Sequence, residues 1–129
     1  MNIPSDLKYT KNDEWLRVEG NQGTIGITDY AQSQLSDIVF VEITVSEGDV
    51  VKQGETCATV ESVKAAADVY MPVSGKVIAI NHSLPEKPEV INRDPYGEAW
   101  MVKIEFTNPS ELDQLLDAAA YEEHLAQKE

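Results

Sequence analysis

Apolar and polar positions alternate with a period of two along much of the chain, the pattern of half-buried strands. Residues 7–9 and 15–19 read as short strands around a polar turn, and Gly20-Asn21-Gln22-Gly23 closes a hairpin onto residues 24–27. Thr28 or Asp29 can accept the free amides of a first helical turn, which predicts a short helix near residues 29–35. Residues 38–43 (Ile-Val-Phe-Val-Glu-Ile) begin apolar on both faces and predict a central strand. Gly48 and Gly54 mark turns on either side of Val50-Val51-Lys52. Residues 76–80 form a further strand, 81–97 carry Pro85, Pro88 and Pro95 and read as a surface connection, and 100–106 end the β portion. Asn108-Pro109-Ser110 then opens a helix with a capping-box pattern from Ser110 to Asp113 and an apolar stripe of Leu112, Leu115, Leu116 and Ala119. Asp117 is placed to cap a last helix through Tyr121 and Leu125, so the C-terminal helical segment spans about 110–127. The fold class predicted is mainly β: a small sandwich or flattened barrel with a short helix near 29–35 and helices at the C-terminus.

One stretch resists this reading. Glu61-Ser62-Val63-Lys64-Ala65-Ala66-Ala67 favours helix by propensity, but a helix ending before Pro72 has only about ten residues and is marginal. Residues 56–60 and 68–71 are β-type runs, which favours a hairpin over about 56–71 with Lys64 at its tip. Propensity and pattern leave the two nearly balanced. Lys64 is the only lysine between Lys52 and Lys76, so it stands alone on its segment. A loose symmetry surrounds it, with Gly48…Val50-Val51 before and Gly75…Val77-Ile78 after.

A length of 129 residues fits one domain, 1–129, with a single modest core. A composition of 42% hydrophobic and 26% charged residues is ordinary. The net charge of −13 is not, and its field repels nucleic acid and anionic membranes while favouring basic patches on other proteins. Residues 1–10 have neither a signal-peptide core nor Arg-rich transit character, which predicts a cytoplasmic chain. Cys57 lies in an alternating apolar run and reads as a buried structural thiol.

Catalytic chemistry finds little support. His82 and His124 have no Cys or His beside them at metal-ligand spacing, and His124, in a predicted helix, reads as a surface residue. There is no nucleophile elbow, and the glycines form no phosphate-binding loop. Carboxylates are too numerous for any pair to stand out. A carrier would need one amine held out on a turn, which Lys64 offers only on the hairpin reading.

Glu61-Ser62-Val63-Lys64-Ala65-Ala66, followed by Pro72-Val73-Ser74-Gly75-Lys76-Val77, resembles the lipoyl-attachment segment of the glycine cleavage system H protein family. Tyr9…Glu14-Trp15-Leu16, Gly26-Ile27-Thr28…Leu35-Ser36-Asp37, Pro88-Glu89-Val90-Ile91-Asn92…Asp94-Pro95-Tyr96-Gly97 and Leu115-Leu116-Asp117…Tyr121 resemble its other blocks, in order. Departures are Asp13 where the family usually has histidine, Ser36 where it has glycine, and no Leu-Pro within 42–48.

The resemblance implies the hairpin, with lipoic acid amide-linked to Lys64 and Glu61, Ser62, Val63 and Ala65 completing the attachment motif. It implies a non-catalytic carrier. Lipoate-attaching enzymes load it. It takes the aminomethyl group of glycine from a pyridoxal-phosphate glycine decarboxylase, yields it to a tetrahydrofolate-dependent aminomethyltransferase, and is reoxidised by dihydrolipoyl dehydrogenase. Glu14, by its motif match, and Asp68 are the acidic side chains expected to face the loaded arm in a groove. Two other carriers of similar type fit the same pattern less closely: a lipoyl or octanoyl relay serving other 2-oxoacid dehydrogenase complexes, and a biotin carrier. The latter would normally flank its lysine with Met, where Val63 and Ala65 stand here.

Overall fold

The computed structural model describes residues 1–128. Nine strands make two antiparallel sheets that do not close on one another, an open sandwich. The larger sheet has the order β1 (Lys8–Tyr9), β2 (Glu14–Glu19), β3 (Gln22–Ile27), β9 (Val102–Phe106), β8 (Gly75–Ile80), β5 (Val50–Val51). The smaller is β4 (Ile38–Ile43), β6 (Thr56–Ser62), β7 (Ala66–Tyr70). Alternation sorts the side chains: in β9, Val102, Ile104 and Phe106 are buried while Lys103 and Glu105 face out. The main core packs these with Leu16, Ile25, Val41, Cys57, Val60, Val77 and their neighbours. No helix among the described residues is long and apolar enough to cross a membrane.

The two halves flanking the lysine meet directly. β5 pairs with β8, and Gly48 N–H donates to the Val77 carbonyl while Val77 N–H donates to that of Asp49. Thr28 caps α1 (Asp29–Leu35), its hydroxyl oxygen accepting from Ala31 N–H at 3.2 Å. Asp117 caps α3 (Ala118–Lys128) by accepting from Ala120 N–H at 2.8 Å. α3 lays Tyr121 and Leu125 on a second apolar cluster with Leu7, Tyr9, Trp15 and Tyr96, and the Tyr9 and Tyr121 rings stack at 4.7 Å.

Four expectations need correction. β4 is an edge strand, not a central one: a bulge between Ile38 and Phe40 turns Val39 and Phe40 to solvent in succession. The connection 81–97 is partly core, because a 3-10 turn at Leu84–Glu86 and α2 (Val90–Arg93) bury Leu84, Val90 and Ile91. The segment after Asn108 is a 3-10 run, Pro109–Gln114, without a side-chain cap, since Ser110 donates its hydroxyl to Asn108 Oδ1. Leu115 is already extended there, so the stripe divides: Leu112 and Leu115 pack on the main core, Leu116 joins the second cluster, and Ala119 is exposed. Finally, His124 is half-buried, and its Nε2 is buried without a hydrogen-bond partner among the described residues.

Ser36 ends α1 with φ 68° and ψ −149°, a conformation nearly restricted to glycine. Ser36→Gly should relieve this strain, and part of the gain is offset by the greater freedom of glycine in the unfolded chain. The expected net stabilisation is about 1 kcal/mol, a rise of roughly 4 °C in Tm by calorimetry. A lower Tm would show that the Ser36 side chain makes a stabilising contact.

Candidate functional site: a lysine hairpin between two grooves

β6 and β7 form a hairpin with Val63, Lys64 and Ala65 at its tip. Burial of Cys57, Ala58 and Val60 fixes β6, and burial pushes the Cys57 thiol up to about 12. Ser62 shapes the turn. Its oxygen accepts from Lys64 N–H at 3.2 Å and from Ala65 N–H at 2.9 Å, and its hydroxyl faces the Ala65 carbonyl at 3.1 Å. Ser62 N–H also donates to that carbonyl, and Val63 N–H donates to the Asp37 carbonyl at 3.0 Å, which anchors the tip to the start of β4. Three hydrogen bonds to one small side chain give a fixed turn without bulk. Lys64 is exposed on it, and its ammonium makes no ion pair among the described residues.

A groove lies on each face of the hairpin. The outward one, about 740 Å³, runs along Glu61, Ala66, Asp68 and Tyr70 and faces Asn12 and Lys128. The inward one, about 200 Å³, lies between Ala67 and Val69 and the α1 side chains Ala31, Gln34 and Leu35, with Glu14 in its wall. Asn12, Asp13, Ala67 and Asp68 line both. Ala66 and Ala67 leave these walls low, and Asp68 is exposed on the strand that divides them.

Glu14 is 1% exposed, so it is no solvated strand-edge carboxylate. Its Oε2 accepts from Tyr70 N–H at 3.2 Å, joining β2 to β7, and its Oε1 accepts from the Thr10 hydroxyl at 2.5 Å. Burial raises its pKa, and those two donors only partly oppose the shift. A buried carboxylate with so few partners has unused capacity for a cation. Asp13, left-handed at φ 69°, accepts from the Tyr121 hydroxyl at 2.9 Å and sits 3.6 Å from Lys128 Nζ, which ties α3 to the rim of the outward groove.

The fold thus brings Glu61, Ser62, Val63, Lys64 and Ala65 together on one hairpin tip, with Asp68 on its stem and Glu14 behind it. Sequence reasoning missed Thr10, Tyr70 and Lys128. Thr10, four residues before Glu14, carried a faint turn signal, whereas Lys128 reaches the groove only through the docking of α3.

The family model described as Glycine cleavage H-protein matches residues 7–128. A relative from Symbiobacterium thermophilum named "Glycine cleavage system H protein" is 57% identical over 121 residues, covering 94% of each chain. Another of that name, from Carboxydothermus hydrogenoformans, is 50% identical over 126 residues, covering 98% of this chain and 96% of its own. The crystal structure of a glycine cleavage system H protein from Mycobacterium marinum superposes with a TM-score of 0.84 at 33% identity, covering 98% of both chains.

Proposed function

The chain belongs to the glycine cleavage H-protein family, and from that premise we propose that Lys64 is its lipoyl-attachment residue and that residues 1–129 act as one carrier domain without a catalytic step of their own. The observation that carries this reading is a lone exposed lysine on a turn fixed by Ser62, between two grooves of which the inward one has a buried carboxylate in its wall. A lipoyl group fits here: the amine is open to solvent, Ala65, Ala66 and Ala67 leave room for an acyl chain, and the groove walls offer both apolar surface and carboxylates. When bound, it supplies a reducible disulfide, one sulfur of which can hold a one-carbon amine.

The protein's own contribution is presentation and shelter. Ser62 holds Lys64 where an attaching enzyme can reach the amine, which at neutral pH is mostly protonated and needs that enzyme's base. Val69, Leu35 and Ala31 exclude water from the inward groove, while Glu14 and Asp68 attract an ammonium carried there. The partners on this reading are a lipoate-attaching enzyme, the pyridoxal-phosphate glycine decarboxylase, the tetrahydrofolate-dependent aminomethyltransferase and dihydrolipoyl dehydrogenase.

Glu14 gives a test with a pH signature. A carboxylate whose pKa burial has raised is ionised only above that raised value, and an entering ammonium stabilises the ionised form. The loaded arm should therefore keep its amine longest at higher pH and lose it faster as pH falls through the Glu14 pKa. Glu14→Gln retains an oxygen for Tyr70 N–H and should fold normally. Its decay should be about ten-fold faster at neutral pH, the loss of one charge-assisted hydrogen bond. Formaldehyde release from loaded protein measures this. Equal, pH-independent decay in both proteins would assign Glu14 to holding β2 against β7 alone.

A further inference from the structure

Three of the six large apolar side chains most exposed among the described residues gather at one corner: Val39 (54%), Phe40 (46%) and Val63 (68%). A regular edge strand would bury one of two successive residues, but the bulge between Ile38 and Phe40 exposes both. Across the ladder Ile38 faces Ser62 and Phe40 faces Glu61, and Val63 is tied to Asp37 by its backbone amide. The patch therefore starts one residue from Lys64. It lies along β4, at the edge of the small sheet opposite β7, where the grooves are. Exposed Asp37, Glu42 and Glu61 rim it with negative charge on a chain of net charge −13.

From this placement we infer that Val39, Phe40 and Val63 are the docking surface for the enzyme that acylates Lys64, which meets them with an apolar cleft rimmed by basic residues. The inference rests on Lys64 being the attachment residue. Reach selects the occupant. An enzyme acting on the bare amine works four methylenes from the backbone and must close over the tip, and so over its neighbours. Enzymes that receive an acylated lysine meet a much longer arm and can stand away from the β4 corner. The acyl transfer joins Lys64 Nζ to the carbonyl carbon of an acyl-adenylate made from lipoate and ATP. It breaks that carbon's bond to the phosphate oxygen and releases AMP and a proton. Exposed apolar side chains buried against a partner carry much of a docking energy, while the acidic rim sets approach and register.

The test uses the full unmodified chain with a lipoate ligase, lipoate and ATP, following the mass increase over time. For the double variant Val39→Ser, Phe40→Ser, kcat/KM for lipoylation should fall about ten-fold or more, chiefly through KM. Phe40→Leu, which keeps an apolar side chain, should stay within about two-fold. Both variants should melt close to the parent, since the altered side chains face solvent. Double variant lipoylated to completion should turn over in a reconstituted glycine cleavage mixture within about two-fold of the parent. Parental kcat/KM in the double variant would overturn the inference, and so would equal losses in lipoylation and turnover, which would make the patch a general docking face. A parent left bare by an active ligase would instead refute the Lys64 reading itself, and this inference with it.

Discussion

Lys64→Arg should carry no lipoyl group and support no glycine cleavage, while melting like the parent. Arginine keeps the charge and a long flexible stem, but guanidinium stays protonated and offers no amine for acylation. The turn is held by the Ser62 side chain and by backbone amides, and the Lys64 side chain takes no part in it. Replacing an exposed side chain in such a turn should change stability by no more than about 0.5 kcal/mol. Lys76→Arg, on the outer face of β8, should leave lipoylation and turnover intact and serves as the control. Full turnover by the Lys64→Arg protein would end the carrier reading at this residue.

The largest effect on stability is expected at Gly26. It pairs with Trp15 across β2 and β3, and the indole lies over it. A Cβ added at residue 26 would stand 2.6 Å from both Cε2 and Cζ2 of that ring. The ring cannot swing aside freely. It is wholly buried, its Nε1–H donates to the Pro95 carbonyl at 3.0 Å, and the Arg17 guanidinium sits 4.9 Å from its centre. Gly26→Ala should therefore cost about 3 kcal/mol by overpacking, a fall of roughly 10 °C in Tm. Because Trp15 follows Glu14, displacement of the indole should also disturb the Glu14–Tyr70 contact and quicken the decay of the loaded arm. A variant melting within a degree or two of the parent would show that the ring relocates without loss.

What could be read from the chain, and what could not, follows from the range of the interactions. Strands such as residues 102–106 were legible because each pairs a buried with an exposed neighbour, a local pattern. The hairpin at Lys64 was balanced against a helix, because its alanines favour helix while burial of Cys57 and Val60 depends on the opposite sheet. Resemblance decided it, and the Ser62 hydroxyl supplies the physical reason. The bulge in β4 has no sequence signature, so Val39 and Phe40 passed for core. Leu84, Val90 and Ile91 are too sparsely spaced among prolines and charges to announce a buried segment. Leu115 fits a helical stripe, yet Leu112, Leu115 and Leu116 divide between two clusters and the chain straightens between them. Glu14 was picked out by its motif, but its burial under Tyr70 is a contact across 56 residues.

Two departures from the family pattern also acquire meaning. Ser36 occupies a glycine conformation, and Asp13 holds the Tyr121 hydroxyl and neighbours Lys128. Neither lies on the hairpin tip, so both departures leave the Lys64 turn unchanged.

The most direct measurement is the intact mass of the protein expressed in cells competent for lipoate attachment, followed by peptide mapping. The expected result is a single lipoyl amide, located on Lys64. A bare Lys64 in such cells, or the lipoyl group on any of the other lysines, would contradict it.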